Sequence, residues 1–154
     1  MLLIIIGGIG FFTWEDIYLH KFHFKHYHMQ SKVILTTTLC LILLPAVFFF
    51  FQDYGNLSGI HRLLASLFQA VTPRTAGFNT TDLSMLTGAS KAMMILLMLI
   101  GGSPSSTAGG MKTTTFALLL LNVLATFQSC DDVTAFGRRI DVSVIKNATT
   151  IAMM

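Results

Sequence analysis

Residues 72–82, TPRTAGFNTTD, form a polar segment with a single glycine inside a strongly apolar chain. A cation that leaves water needs replacement oxygens, and backbone carbonyls facing a narrow passage are a rigid source of them. Holding several carbonyls to one side requires a position with dihedral angles open mainly to glycine, and Gly77 can supply it. The segment could therefore bind a dehydrated cation. The alternative is an external turn in which Gly77 only takes a positive φ.

A second polar segment, GGSPSSTAGGMKTTT over residues 101–115, interrupts an apolar stretch. The apolar runs before and after it, residues 92–100 and 116–127, are well short of the roughly 20 residues that cross a bilayer. A membrane helix broken by glycine, proline and serine is typical of a transport path or a gate. The alternative is a pair of interfacial helices joined outside the membrane. A phosphate-binding loop is disfavoured because Met111 separates the preceding glycine from Lys112.

The composition is that of a membrane protein. The chain is 53% hydrophobic and 11% charged, whereas soluble domains have roughly 25% charged residues. The net charge is only +3, and the basic residues gather in separate stretches, which favours cytoplasmic loops over a nucleic-acid surface. Cys40 and Cys130 are isolated, so neither a disulfide nor a metal knuckle is indicated. No nucleophile, base and orienting acid occur together, and the sequence predicts no enzyme.

The elements that would position these segments follow from hydropathy and charge. Residues 1–19 are predicted to end a preceding transmembrane helix, and residues 20–32 to form a cytoplasmic connector. Residues 33–51 are an uncharged run of spanning length. An apolar stripe over residues 59–71 predicts a helix too short to span, which Pro73 ends. Such a helix between spans is typical of a re-entrant element.

Residues 33–127 together would form one span, a re-entrant helix and a broken span, which is an M1-P-M2 unit. Residues 128–154 are predicted to be a second cytoplasmic connector, marked by Arg138, Arg139 and Lys146, and the start of the next repeat. Both ends of the chain indicate a fragment of a larger protein.

Both polar motifs resemble those of a known family. TAGF, residues 75–78, is similar to the TVGY core of potassium-channel filters. RTAGFNTTD followed by GGSPSSTAGGMKTTT resembles the Ktr/Trk/HKT superfamily of potassium transporters. The second motif is similar to the intramembrane loop of the Ktr-type membrane subunit, in which a glycine is usual at the position of Ser105. The resemblance covers almost the whole chain and places it around the third pore repeat.

This resemblance implies a fold and a set of site residues. The fold would be an all-α membrane protein of M1-P-M2 pore-loop repeats, with a re-entrant pore helix and, in this repeat, a broken second helix. The ion selectivity filter would comprise Thr75, Ala76, Gly77, Phe78 and Asn79. The gating loop would comprise Gly101, Gly102, Ser103, Pro104, Ser105, Ser106, Thr107, Ala108, Gly109, Gly110 and Lys112.

The same resemblance implies a function and partners. The function would be potassium uptake by a multi-pass protein of a bacterial cell membrane, coupled to sodium in some members, with K⁺ bound at the filter carbonyls. Full-length members would form homodimers in the lipid bilayer and bind a cytoplasmic nucleotide-binding regulatory subunit. No covalent cofactor, structural metal site or nucleic acid is expected. A different class of function stays open: a non-conducting membrane scaffold or accessory protein whose broken helix serves packing.

Several polar side chains keep alternative interpretations. Lys112 would either help to close the gate by placing a charge below the filter, or snorkel toward the cytoplasm or pair with a carboxylate. Arg74 is expected to be structural, bonding the last carbonyls of the short helix, with Asp82 as a candidate partner. The connector carries closely spaced histidines, which suit either a metal site or a solvated interfacial stretch. They are His20, His23, His26 and His28.

Overall fold

The computed structural model describes residues 1–21, 24–55, 59–74, 76–79, 82–128 and 133–153. This part of the chain is mainly helical. Its α-helices are α1 Leu2–Ile9, α2 Phe11–His20, α3 Met29–Gln52, α4 Gly59–Val71, α5 Gly88–Leu99, α6 Thr113–Phe127 and α7 Val142–Met153. Short 3₁₀ turns lie at Phe24–His26, Thr72–Arg74 and Leu83–Met85, and a small hairpin pairs β1 Thr134–Ala135 with β2 Arg138–Arg139.

A sharp bend separates α1 from α2. The helices are bent by 92° at their junction, where Gly10 has a φ of +86°, a conformation open mainly to glycine. The structure thus has two helices where the sequence predicts the end of one helix over residues 1–19, because hydropathy alone gives no signal of the break. In the described part of the chain, α3 is the one helix long and apolar enough to cross a membrane. Helices α1 and α2 pass the same test only as a bent pair, which is either a broken span or a re-entrant loop. That residues 1–19 end a transmembrane helix stays a prediction.

The buried carboxylate of Asp16 fastens α2 to the start of α3. One of its oxygens accepts hydrogen bonds from the His28 backbone N–H at 3.1 Å and from the Ser31 hydroxyl. The other oxygen lies 2.6 Å from His28 Nδ1. These contacts bond the backbone of the residue before the helix and the hydroxyl of its third residue. The helix consequently begins at Met29, before the uncharged run that starts at Val33.

The short helix predicted over residues 59–71 is confirmed as α4, which lies against α3. Arg62 fixes its first turn, because Nε and Nη2 donate to the Phe50 carbonyl at 2.9 and 2.6 Å. The same guanidinium lies 4.1 Å from the centroid of the Phe50 ring. A buried cluster then joins α3, α4 and α5, and it comprises Ala46, Phe49, Tyr54, Ala70, Leu86, Met94 and Leu97. This packing sets the turn after α4 against α5.

The C-terminal part contains an element that the all-α prediction misses. β1 and β2 form an antiparallel hairpin, in which the connecting Phe136 and Gly137 have φ angles of +50° and +77°. Positive φ at both central residues is the type I′ turn that suits a tight hairpin. Strands this short carry too little alternation to be predicted from sequence. The helical class is otherwise confirmed, with a helix break at the predicted place between α5 and α6.

Candidate functional site

The predicted cation-binding segment follows directly on α4. The Thr72 carbonyl accepts hydrogen bonds from Ala76 N and Gly77 N, at 3.2 and 3.0 Å. The Thr72 hydroxyl donates to the Phe78 carbonyl oxygen at 2.6 Å. Thr72 itself is only 2% exposed. The carbonyl and the hydroxyl of one buried threonine therefore both fix the described part of this segment.

Gly77 has the left-handed backbone conformation that the sequence predicts for it. Its φ is +69°, and a Cβ built on it would meet nothing within 4 Å. The need for glycine here comes from the backbone and not from crowding. Gly77, Phe78 and Asn79 are exposed and Ala76 is half-buried, whereas Thr75 lies outside the described residues. Residues 77–79 thus form an exposed edge of the segment.

The break between α5 and α6 is a loop that is closed across its mouth. Gly101 N donates to the Met111 carbonyl at 2.9 Å, and Met111 N donates to the Leu99 carbonyl at 3.3 Å. One step further along, Thr113 N donates to the Gly102 carbonyl at 3.1 Å. These backbone bonds bring the end of α5 to the start of α6. The interruption is an ordered unit and not a loose connection.

Glycine is needed at the mouth of this loop because the chain packs against itself. A Cβ on Gly101 would lie 1.7 Å from the Gly109 carbonyl oxygen, and one on Gly102 would lie 2.5 Å from the Ala108 Cβ. Neither distance is possible without moving the backbone. Gly109, in contrast, has open space where its Cβ would be. The double glycine at residues 101–102 is thus a packing requirement.

Hydrogen bonds within the loop fix its conformation. Ser106 Oγ donates to the Ser103 carbonyl at 2.6 Å and accepts from Ala108 N at 3.4 Å. Gly110 has a φ of +73°. Ser105 has a φ of +59°, which is unusual for a residue with a Cβ. Glycine adopts this conformation at lower cost, which agrees with the glycine that the sequence resemblance implies at the position of Ser105.

The loop docks on the bend between α1 and α2. Ser103 donates to the Gly8 carbonyl twice, from its N–H at 3.0 Å and from its hydroxyl at 2.8 Å. Phe11 N in turn donates to the Ser105 carbonyl at 3.2 Å. A Cβ on Gly10 would lie 2.5 Å from the Pro104 carbonyl oxygen. Sequence reasoning missed this contact, although the GGIG run at residues 7–10 is a signal for close backbone approach.

Arg74 connects the two predicted functional segments. It is 8% exposed, and its Nη2 donates to the Gly101 carbonyl at 3.4 Å. The expected pairing with Asp82 is wrong, because Asp82 is exposed and accepts instead from Ser84 N at 3.0 Å. That backbone hydrogen bond, with one from the Ser84 side chain, lowers the pKa of Asp82. Arg74 therefore reaches the mouth of the loop and not the end of its own helix.

Lys112 folds back onto the loop. Its Nζ donates to the Ala108 carbonyl at 2.8 Å, and the side chain is half-buried. The residue immediately precedes α6. A charge-assisted hydrogen bond of this kind is stronger than a neutral one. The ammonium group thus stabilises the folded loop, which the sequence interpretations of Lys112 as a barrier or a snorkelling side chain did not include.

The histidines of the connector are placed by other contacts. The rings of His20 and His26 stack with their centroids 6.3 Å apart, and His28 bonds Asp16. His23 lies outside the described residues. Over the described ranges, no group of three or more His, Cys, Asp or Glu side chains could hold a metal ion.

A helix too short to span, a glycine turn and a broken helix with an ordered loop are the architecture of a membrane transport protein. Residues 1–153 match the model of the TrkH family, described as cation transport protein, and the chain belongs to this family. The family consists of membrane transporters, so the chain is not an enzyme.

Characterised relatives agree with this assignment. The chain is 36% identical over 157 residues to "Ktr system potassium uptake protein B" of Bacillus subtilis, a match that covers 98% of this chain and 35% of that protein. It is 37% identical over 154 residues to "Potassium/sodium uptake protein NtpJ" of Enterococcus hirae, covering 97% and 34% respectively. The chain thus spans about a third of the length of these relatives.

Proposed function

We propose that this chain is part of a potassium uptake protein of a bacterial cell membrane, in which residues 75–79 select the ion and the loop at residues 101–112 gates its path. The observation that carries the proposal is the exposed turn at Gly77, held by Thr72 directly after a helix too short to cross a bilayer. The names of the relatives, which include potassium uptake proteins, support K⁺ as the substrate.

Selection would depend on backbone oxygens at residues 75–79. A carbonyl oxygen has two lone pairs, and the Thr72 hydroxyl occupies one of those on Phe78. This bond leaves one lone pair for an ion and limits how far the carbonyl can rotate. A passage enclosed by several such segments would replace the hydration shell of K⁺. The other segments of this passage would lie opposite the exposed edge at Gly77 and Asn79.

Gating would depend on the loop between α5 and α6. In the structure the loop is bonded across its mouth, along its interior and to the α1–α2 bend. Such an arrangement forms or breaks as a unit, which is the property of an element with discrete closed and open states. The Lys112 bond to Ala108 adds to the closed state. Opening would release the loop from Gly8 and from Arg74.

The names of the relatives also support a second ion and a protein partner. The Enterococcus hirae relative is named a potassium/sodium uptake protein, which supports Na⁺ as a second ion or a coupling ion. The Bacillus subtilis relative is named as part of a Ktr system, which supports a regulatory partner. We propose a homodimer of the full-length protein and a cytoplasmic nucleotide-binding subunit that acts on the loop.

The test is growth on limiting potassium of a bacterium that lacks its own uptake systems and carries the full-length protein. Gly77→Asp should abolish growth and rubidium uptake, because Asp at a φ of +69° strains the turn and its carboxylate would trap the cation. Gly137→Asp is the matched control, since Gly137 has a φ of +77° and similar open space but lies in the hairpin. It should support growth.

Growth that survives Gly77→Asp would reject the transport proposal and favour a non-conducting scaffold, for which Gly77 is dispensable. Equal loss with both substitutions would also count against it, because the effect would then follow from glycine strain in general. Protein abundance in the membrane is measured for both variants.

A further inference from the structure

A small, partly enclosed cavity lies where α1, α3, the end of α4 and the loop meet. Its volume is about 20 Å³, measured as the space open to the centre of a water molecule. A cavity holds a water when that space exceeds roughly 10–15 Å³ and polar partners line it. Thr38, Arg74 and Gly102 are among its lining residues. The space is large enough for one water molecule.

Unpartnered polar atoms belong to the residues around this cavity. Arg74 Nε and Thr38 Oγ1 are buried and have no hydrogen-bond partner among the described residues. Arg74 is 8% exposed and Thr38 is 6% exposed. Buried polar groups of folded proteins are nearly always bonded to protein or to ordered water. Gly102 offers a further acceptor, because its carbonyl accepts only the bond from Thr113 N among the described contacts.

Neighbouring threonines on α3 show that Thr38 is different. Thr36 Oγ1 donates to the Lys32 carbonyl at 2.8 Å, and Thr37 Oγ1 donates to the Val33 carbonyl at 2.6 Å. Both bonds are the usual way in which a threonine satisfies its hydroxyl within a helix. The Thr38 hydroxyl makes no such bond, although its chemistry is identical.

We propose that one buried water molecule occupies this cavity, accepts a hydrogen bond from Arg74 Nε and bonds the Thr38 hydroxyl. The Arg74 side chain then has a partner at Nε as well as at Nη2, where it donates to the Gly101 carbonyl. The water ties α3 to the residue that reaches the mouth of the loop. Arg74 is in this scheme a positioning residue, and its role in holding the loop closed rests on the proposed function.

A density map of the full-length protein at a resolution that shows ordered water is the first test. It should contain one water within hydrogen-bonding distance of Thr38 Oγ1 and Arg74 Nε. A dry cavity, or a side-chain arrangement in which these atoms bond protein groups directly, would overturn the proposal.

Hydrogen exchange of the loop amides in the full-length protein is the second test. Thr38→Val keeps the shape of the side chain and removes the hydroxyl, and it should speed exchange at Gly101 and Ser103 by about two- to tenfold, the factor for one lost hydrogen bond. Thr37→Val is the matched control and should leave these amides at the wild-type rate. Equal effects of both substitutions would overturn the proposal.

A double variant separates the water from general packing. Thr38→Val should add little to Arg74→Gln, because each removes a partner of the same water. Additive effects on exchange would contradict a shared water. Exchange is measured without transport, so uptake that survives Gly77→Asp would reject the proposed function and leave these results standing.

Discussion

The segment at residues 76–79 and the loop at residues 101–112 differ in how the chain holds them. Hydrogen bonds to Thr72 hold the first, and Gly77 lies in open space. The loop is bonded across its mouth, within itself and to the α1–α2 bend, and its first glycines are buried. A selecting element must offer free oxygens, whereas a gate needs one well-defined closed arrangement.

This difference separates the expected effects of substitution. Changes around Thr72 and Gly77 should alter which ion passes. Changes in the loop should alter how often the path is open.

The largest effect is expected at the mouth of the loop. Gly101→Ala in the full-length protein places a Cβ that would lie 1.7 Å from the Gly109 carbonyl oxygen, so the closed loop should lose about 3 kcal/mol. Potassium flux without activation should rise by more than tenfold. Rubidium uptake into proteoliposomes measures it.

Gly109→Ala is the control for this change, because a Cβ there meets nothing within 4 Å. It should leave both the resting flux and thermal unfolding near wild type. A resting flux in the Gly101→Ala protein that is as low as that of the wild type would contradict the closed structure of the loop.

Lys112→Ala should have the next largest effect. It removes the 2.8 Å hydrogen bond between the ammonium group and the Ala108 carbonyl, and a hydrogen bond to a charged group contributes roughly 1.5–3 kcal/mol. The resting flux should rise about tenfold, since roughly 1.4 kcal/mol corresponds to that factor. Lys91→Ala removes an exposed 3.4 Å bond to the Ser84 carbonyl and is the matched control. Unchanged flux and regulation in Lys112→Ala would reject this role.

Thr72→Val tests the other region. It removes the 2.6 Å bond to the Phe78 carbonyl, worth about 1 kcal/mol, and so frees that carbonyl to rotate. The preference for K⁺ over Na⁺ should fall about fivefold, as measured by competition in rubidium uptake. Thr126→Val, which removes a bond within α6 to the Asn122 carbonyl, should leave selectivity unchanged. If the preference for K⁺ over Na⁺ stays constant in Thr72→Val, Thr72 does not fix the orientation of the Phe78 carbonyl.

The smallest effect is expected at Ser105. Ser105→Gly relieves a left-handed strain of roughly 1–2 kcal/mol but adds about 0.4–1 kcal/mol of chain entropy to the unfolded state. The docked loop should therefore gain between about 0 and 1.6 kcal/mol, and the resting flux should fall slightly. Ser106→Gly should do the opposite, because it removes the bonds to Ser103 and Ala108. A higher flux in Ser105→Gly would mean that flexibility outweighs strain.

The sequence predicts elements whose signals are local. The apolar stripe and Pro73 set the bounds of α4, and the glycines and Pro104 place the helix break. The filter assignment for residues 75–79 and the gate assignment for residues 101–112 stay predictions, and Thr75 lies outside the described residues.

Contacts between distant parts of the chain could not be predicted in the same way. The bend at Gly10 lies inside an uninterrupted apolar run, so hydropathy does not mark it. The Arg74 bond to Gly101 spans many residues, and the nearby Asp82 was the more natural partner by sequence. Asp16 sets the start of α3 from the preceding helix. Each of these depends on tertiary packing, and only the bend has a local signal, the GGIG run at residues 7–10.

The most direct test of the division between selection and gating measures total flux and the K⁺/Na⁺ uptake ratio together, in proteoliposomes with the full-length protein. We expect Gly101→Ala to raise total flux with the ratio unchanged, and Thr72→Val to lower the ratio with little change in resting flux. A Gly101→Ala protein whose ratio changes as much as that of Thr72→Val, with no rise in flux, would contradict a gate separate from the filter.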